Sequence, residues 1–249
     1  MLRLARGVSV PPHQASQPLR GSPVLFTNNY IEAYVSRVKP WQVVAIWLPT
    51  AAYFAAQSMR APLPWSRQVG LFFLGLLAWT LFEYAYHRFV EHFPPQNVWQ
   101  AKLTFVLHGV HHQYPWDPDR LVMPPVVSIP LGAGLYYVTR AILGLPALYP
   151  FFTAMILFYL FYDMQHYAMH QRHPRTAFGR YLRAYHLLHH FKTPTMRYGV
   201  SCPLWDYVFG TLPTPGKGAH SPWMLSSATH HRSRSILDAG KIFSNAIPR

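Results

Sequence analysis

Ten of the fifteen histidines fall into four short clusters. They are His87 and His92 in "HRFVEH", His108, His111 and His112 in "HGVHH", His166 and His170 in "HYAMH", and His186, His189 and His190 in "HLLHH". Residues at i, i+3 and i+4 share one face of an α-helix, so the two triplets each present three imidazoles to one point and "HYAMH" presents two. His87 and His92 are five apart, about 140° around an ideal helix, so this pair needs a frayed end or a turn. Pro94–Pro95 supplies the stop. Packing has no use for so many imidazoles on shared faces, whereas metal ligation does. Imidazole suits Zn, Cu, Fe and Ni, and ten ligands exceed what one ion binds, which predicts two ions with about five imidazoles each. Glu83, one turn before His87, and Asp163, just before His166, are candidate acceptors for the free ring N–H of a ligand. His13, His173, His220, His230 and His231 stand outside the clusters and read as ordinary polar residues.

The elements that carry these clusters alternate between apolar and basic. The chain is 51% hydrophobic and 12% charged, about half the charged fraction (roughly 25%) of soluble domains. Its apolar residues collect in four segments, 41–58, 69–86, 126–145 and 147–162. At about 1.5 Å per residue these reach roughly 24–30 Å, marginal against a hydrocarbon core of about 30 Å. The short proline-bearing links "MRAPLPWSR" and "GLP" suit turns between antiparallel helices, so the segments pair into two membrane hairpins. Two crossings separate His112 from His166, which returns every cluster to the same side. Of 22 Lys and Arg, only Arg60, Arg67 and Arg140 lie at the short turns. The positive-inside rule therefore places both termini, the middle loop and the site in the cytosol.

The expected fold is all-α: an integral membrane protein with four transmembrane helices in two hairpins and a cytosolic helical cap housing a histidine-rich dimetal site. Residues 1–40 read as a basic, Pro-rich cytosolic arm whose first 20 residues are expected to be disordered, the alternative being a transit peptide, 41–215 as one membrane domain and 216–249 as a loosely ordered cytosolic tail. A single cysteine, Cys202, excludes a disulfide framework and a cysteine-built zinc site. The net charge of +14 comes with no nucleic-acid-binding motif, so nucleic acid is not an expected partner.

At its histidine boxes the sequence resembles the fatty acid hydroxylase superfamily, which includes the sterol desaturases. Within it the chain looks most like the fatty acid 2-hydroxylases acting on sphingolipid acyl chains. The likeness runs from about Glu83 to Thr211, through "HRFVEH", "LHGVHHQYPWDPDRLVMPP", "YDMQHYAMH", "YHLLHHFK" and "GVSCPLWDYVFGT". The continuation "HHQYPWDPDRLVMPP" and the close "WDYVFGT" are its narrower signals. The resemblance implies a dimetal centre ligated by the ten histidines, holding two iron ions, with zinc able to take their place in recombinant protein. It implies O2 as co-substrate and hydroxylation of C2 in the acyl chain of a ceramide or a free fatty acid.

Several members of the superfamily carry a fused cytochrome b5 domain. The first 40 residues here offer no haem-binding pair, so a separate electron donor such as cytochrome b5 or a ferredoxin-type carrier is expected, docking on the basic face. The membrane would be the endoplasmic reticulum in a eukaryote and the inner membrane in a bacterium. The acyl groove is expected between Phe158 and Phe161 and the segment Leu121–Pro125. Tyr114, Asp117 and Arg120 would gate entry or grip a headgroup, the alternative being a loop held by its own salt bridge. Trp205, Asp206 and Tyr207 read as structural. The same metals would serve a sterol desaturase or methyl-sterol oxidase. A metal-binding scaffold or transporter is the reading from another class, and transport predicts ionisable residues at mid-span, where this chain is almost wholly apolar.

Overall fold

Prolines set the starts of three long helices, where a missing N–H costs nothing and a fixed φ suits the first turn. Pro40 opens α1 (Pro40–Arg60), Pro64 precedes α2 (Trp65–Tyr86) and Pro125 opens α5 (Pro125–Leu143). The remaining helices are α3 (Val98–Thr104), α4 (Val110–Gln113), α6 (Leu148–Gln171), α7 (Ala177–Phe191) and α8 (Leu204–Val208). The computed structural model describes residues 18–213; among them there is no β-strand, and those up to Thr211 belong to one compact unit. His13, His220, His230, His231, the first part of the arm and the tail expected from 216 lie outside the described residues.

α6 is the axle of the fold. α1 and α2 pack along it while α5 touches it more lightly. The core sets Val43, Trp47, Ala51 and Phe54, spaced by helical turns on α1, and Trp79 on α2 against Phe151, Phe152, Met155, Ile156 and Tyr159 of α6. α2 approaches α6 so closely that a Cβ on Gly75 would stand 2.3 Å from the Phe151 carbonyl oxygen. On the outside the pattern inverts. Leu74 and Leu77 of α2 and Ile129, Val138 and Ile142 of α5 are exposed, and α5 buries only Ser128 and Thr139. Two helical stretches are long and apolar enough to cross a membrane, Trp65–Glu91 and Pro125–Leu143.

The helix that holds the fourth apolar segment runs on past 162 to Gln171 and carries Asp163, His166 and His170 out of the apolar zone on the same rod. The arm expected over 1–40 is built into the fold from residue 18 on. Leu25 and Phe26 bury against Phe105 and Val110, and Glu32, in the π-helical turn Ile31–Ser36, accepts the backbone N–H groups of Leu25 and Phe26. Glu32 also meets Arg37 and Arg120.

Candidate metal centre

Four stretches of chain bring the ten histidines together. His87 and His92 stand at the two ends of a π-helical turn, His87–Glu91, that continues α2. The His92 N–H donates to the His87 carbonyl at 3.0 Å. This i→i+5 closure, and not a frayed end, puts residues five apart on one face. A second π-helical turn, Phe105–Gly109, joins α3 to α4 and carries His108 beside His111 and His112. His166 and His170 end α6, and His186, His189 and His190 end α7.

The rings form two groups of five. One holds His87, His92, His108, His112 and His189, the other His111, His166, His170, His186 and His190. Within each group one nitrogen per ring lies within 4.8 Å of all the others. The triplets do not aim at one point, as their spacing suggested; each divides between the groups, and in the same way. His108 and His112, four apart, go to one group and His111 to the other, while His186 and His190 go together and His189 crosses over. Helical rotation explains the division. Position i+4 lies about 40° to one side of i and i+3 about 60° to the other, so the two diverge by about 100°.

The ring nitrogens fit metal ions. Within the groups, neighbouring Nε2 atoms face each other at 2.9–3.2 Å. Three rings have Nδ1 within hydrogen-bond distance of a backbone carbonyl: His87 to Tyr198 at 2.6 Å, His166 to Leu121 at 2.8 Å and His189 to Met196 at 2.7 Å. A proton on Nδ1 leaves Nε2 with only a lone pair, and convergent lone pairs are satisfied by a cation. Burial, reinforced by neighbouring imidazoles, holds His108, His111, His112, His186 and His190 far below the ordinary histidine range. Burial likewise pushes His189 down to about 4. The rings are therefore kept in the neutral form that binds metal.

Glu83 and Asp163 do not accept from a ligand ring as expected. Each clamps the backbone that does. Glu83 accepts the N–H groups of Val200 and Ser201 at 2.8 and 2.7 Å and the Ser201 hydroxyl at 2.5 Å, which holds the loop whose carbonyls anchor His87 and His189. Asp163 accepts the Met123 N–H at 3.1 Å and the Tyr159 hydroxyl at 3.3 Å, two residues beyond the Leu121 carbonyl that anchors His166. Asp206 holds the first of these loops from its other side, accepting from Tyr198 N, Gly199 N and the hydroxyls of Tyr185 and Thr211. The carboxylate nearest a ligand ring is one that sequence reasoning missed. Glu91 Oε2 lies 3.6 Å from His108 Nδ1, buried and without a hydrogen-bond donor. An acid inside the first histidine box, "HRFVEH", was the available signal.

A cavity of about 120 Å³ opens beside the rings, with His108, His111 and His166 in its wall. Leu121–Pro124 line it as expected, facing Tyr86, Glu91 and Tyr162. Phe158 and Phe161 do not. They pack against each other at 5.3 Å, Phe161 half-exposed, and Tyr162 is the aromatic that α6 contributes to the cavity. The expected gate is a fixed network. Asp117 accepts from Ser22 at 2.8 Å and from Arg120 at 2.6 Å, and Arg120 also donates to Glu32 and Ser36. Tyr114 packs beside Leu25 and Phe26. Arg120 borders the cavity with its donors turned to the 18–39 stretch, because two buried carboxylates hold a guanidinium more firmly than water does. His173 is exposed and takes no part.

Comparison with known proteins agrees with this geometry. The family model described as fatty acid hydroxylase matches residues 72–211. A dihydroceramide fatty acyl 2-hydroxylase of Arabidopsis thaliana is 38% identical over 193 residues, 77% of this chain and 80% of that protein. The fatty acid 2-hydroxylase of Rattus norvegicus is 36% identical over 222 residues, 80% of this chain and 58% of that protein. A solved structure of full-length scs7p, in which only the hydroxylase domain is visible, superposes with a TM-score of 0.72 at 34% identity. That match covers 79% of this chain and 75% of that one.

Proposed function

The chain belongs to the fatty acid hydroxylase family, and from that premise we propose that it is a membrane-embedded dimetal monooxygenase placing a hydroxyl on C2 of a fatty acyl chain. It is an oxidoreductase of lipid acyl chains. The observation that carries the reading is two five-imidazole groups, one wholly buried and the other with His92 and His112 half-buried, beside a largely apolar cavity. Two iron ions, held by the two histidine groups, would supply the oxidising chemistry; overall, O2, two external electrons and two protons would convert C2–H into C2–OH with the second oxygen leaving as water.

The protein's own residues position and exclude. An aliphatic C–H offers no charge to grip, so selectivity rests on holding one carbon beside the metals. C2 is the carbon next to the carbonyl, and a centre at the membrane surface brings it there while the tail stays in apolar surroundings. Leu121, Val122 and Met123 wall that position, held through Asp163, and buried Leu121 and Val122 keep water from it. Four crossing helices, with the metal-bearing cap on the cytosolic side, are supported by the exposed apolar faces of α2 and α5 and by the sparse cations at the two short turns. The substrate reading, a ceramide or a free fatty acid, follows the relatives' names. Electrons come from an acidic external carrier docking on the basic cap.

The test supplies membranes holding the protein with a reduced carrier, isotopically labelled dioxygen, and ceramides, free fatty acids or sterols. Labelled 2-hydroxy acyl product is expected. Its absence with both ceramides and fatty acids overturns the reading, and an oxidised sterol in its place selects the sterol branch.

A further inference from the structure

Among the described residues, one that is not glycine has a left-handed backbone: Arg197, with φ of 60°. An L side chain is crowded there, so the conformation is uncommon outside glycine and persists only where its surroundings impose it. The side chain does not account for it. Arg197 is 3% exposed, its Nε and Nη1 have no hydrogen-bond partner, and its guanidinium rests over the Tyr185 ring at 5.5 Å. A strained backbone beneath a poorly satisfied buried cation is costly to keep.

Arg197 separates the two carbonyls that anchor one metal group. The Met196 carbonyl oxygen lies 2.7 Å from His189 Nδ1 and the Tyr198 carbonyl oxygen 2.6 Å from His87 Nδ1, in rings whose centroids are 4.7 Å apart. The N–H groups of this stretch face elsewhere. Arg197 N donates to the Thr211 carbonyl at 3.0 Å, and Tyr198 N and Gly199 N donate to the two oxygens of Asp206 at 2.8 and 2.7 Å. The Thr211 hydroxyl donates to the same Asp206 carboxylate at 2.7 Å, so three successive N–H groups meet one patch. In an extended chain successive peptides alternate from side to side, and N–H groups in a row converge only where the backbone leaves that form, as it does at a left-handed residue. In a trans peptide the carbonyl points opposite to the N–H, which turns these carbonyls toward the rings. An extended residue at 197 would reverse one flanking peptide, and either Thr211 or His189 would lose its partner.

We propose that the left-handed turn at residue 197 aims His87 and His189 at their ion. Arg197 is thus a positioning residue that acts by its backbone, through the Met196 and Tyr198 carbonyls, and its guanidinium is dispensable. The proposal rests on the dimetal reading. A carbonyl on Nδ1 fixes the ring and leaves Nε2 to the ion, so a single φ sets two ligands of one group. The other group is anchored elsewhere, through His166 and the Leu121 carbonyl. The alternative is that the guanidinium itself holds the loop, through its stack on Tyr185.

The test counts metal and needs no turnover. Full-length protein in detergent is loaded with Co(II), and ions per chain are measured after dialysis against graded chelator. Wild type is compared with Arg197→Gly, Arg197→Ala and Arg197→Val. Glycine takes up the left-handed turn freely, alanine about as readily as arginine, and valine least, because branching at Cβ closes that region. Arg197→Ala is expected to hold both ions as wild type does. In Arg197→Gly one ion should be held up to about tenfold more tightly, and in Arg197→Val about 10–100-fold less tightly, with the second ion unmoved. Adding Asp163→Ala to Arg197→Val should strip both ions, whereas adding Glu83→Ala should strip only the same one. Loss of an ion in both Arg197→Gly and Arg197→Ala assigns the hold to the guanidinium and overturns the proposal. So does Arg197→Val that retains both ions as wild type does, or that releases both together. The glycine and alanine variants decide the matter even if valine prevents folding. Wild type that takes up fewer than two ions overturns the dimetal reading itself and this proposal with it.

Discussion

Replacing Glu83 by alanine should empty one metal site and spare the other. The side chain is 5% exposed and accepts from Val200 N, Ser201 N and the Ser201 hydroxyl. Alanine leaves two buried backbone N–H groups without an acceptor, at about 1–3 kcal/mol each, so the loop is loosened by roughly 2–6 kcal/mol. That loop supplies the Tyr198 and Met196 carbonyls to His87 and His189, both in the same five-ring group. Loss of such outer support typically costs about 10–100-fold in metal affinity. The other group is anchored through His166 and the Leu121 carbonyl, which Asp163 supports from α6. Asp163→Ala should therefore weaken the opposite site. Metal per chain is measured by mass spectrometry after dialysis against graded chelator. Wild type should retain two ions at a chelator concentration where each single variant retains one, and Glu83→Gln, which keeps one acceptor oxygen, should fall between. If Glu83→Ala releases both ions together, or neither, the assignment of each carboxylate to one site is refuted.

Other perturbations test the frame around the site. Arg120→Ala leaves Glu32 and Asp117 as buried carboxylates without their shared cation, a loss of about 3–5 kcal/mol, and limited proteolysis should then cut within residues 18–39. Gly75→Ala sets a methyl 2.3 Å from the Phe151 carbonyl oxygen, so α2 has to withdraw from α6. A destabilisation of about 1–3 kcal/mol should appear as a lower melting temperature. The metal-free protein should lose stability as pH falls from about 6.5 toward 4. His189 titrates at about 4 in the folded state against 6.5 unfolded, so the unfolded chain binds the extra proton throughout that window; for this one residue the difference amounts to about 3 kcal/mol. Melting temperatures across that range, taken with chelator present, would show no slope if the rings were already charged.

Part of the architecture was legible because it follows from short-range periodicity. A heavy apolar stretch beside a tight proline turn predicts a helical hairpin wherever it occurs, and the four long helices lie where those stretches do. The even count of apolar segments between His112 and His166 was enough to put every box at one end of the bundle. The limits were equally local. The five-residue gap in "HRFVEH" defeated α-helical geometry because nothing in six residues announces a π-helical turn. That residues 18–39 are tied into the fold was not legible, because their partners, Phe105, Val110, Asp117 and Arg120, come about 80 or more residues later.

The sequence by itself determined the inventory of candidate ligands. Ten imidazoles at helical spacings exceed what one ion can hold, and that arithmetic requires no coordinates. Only the tertiary structure decided the partition: His111 leaves its own triplet for the rings of α6 and α7, and His189 leaves its triplet for those of α2 and α4. Spacing fixes which residues share a face of one helix, but which ring meets which ion depends on how four separate stretches of chain are set against each other. The same holds for the carboxylates. Glu83 stands four residues from His87, yet it acts through Val200 and Ser201, 117 and 118 positions away, because a buried carboxylate takes the unpaired N–H groups that packing delivers to it.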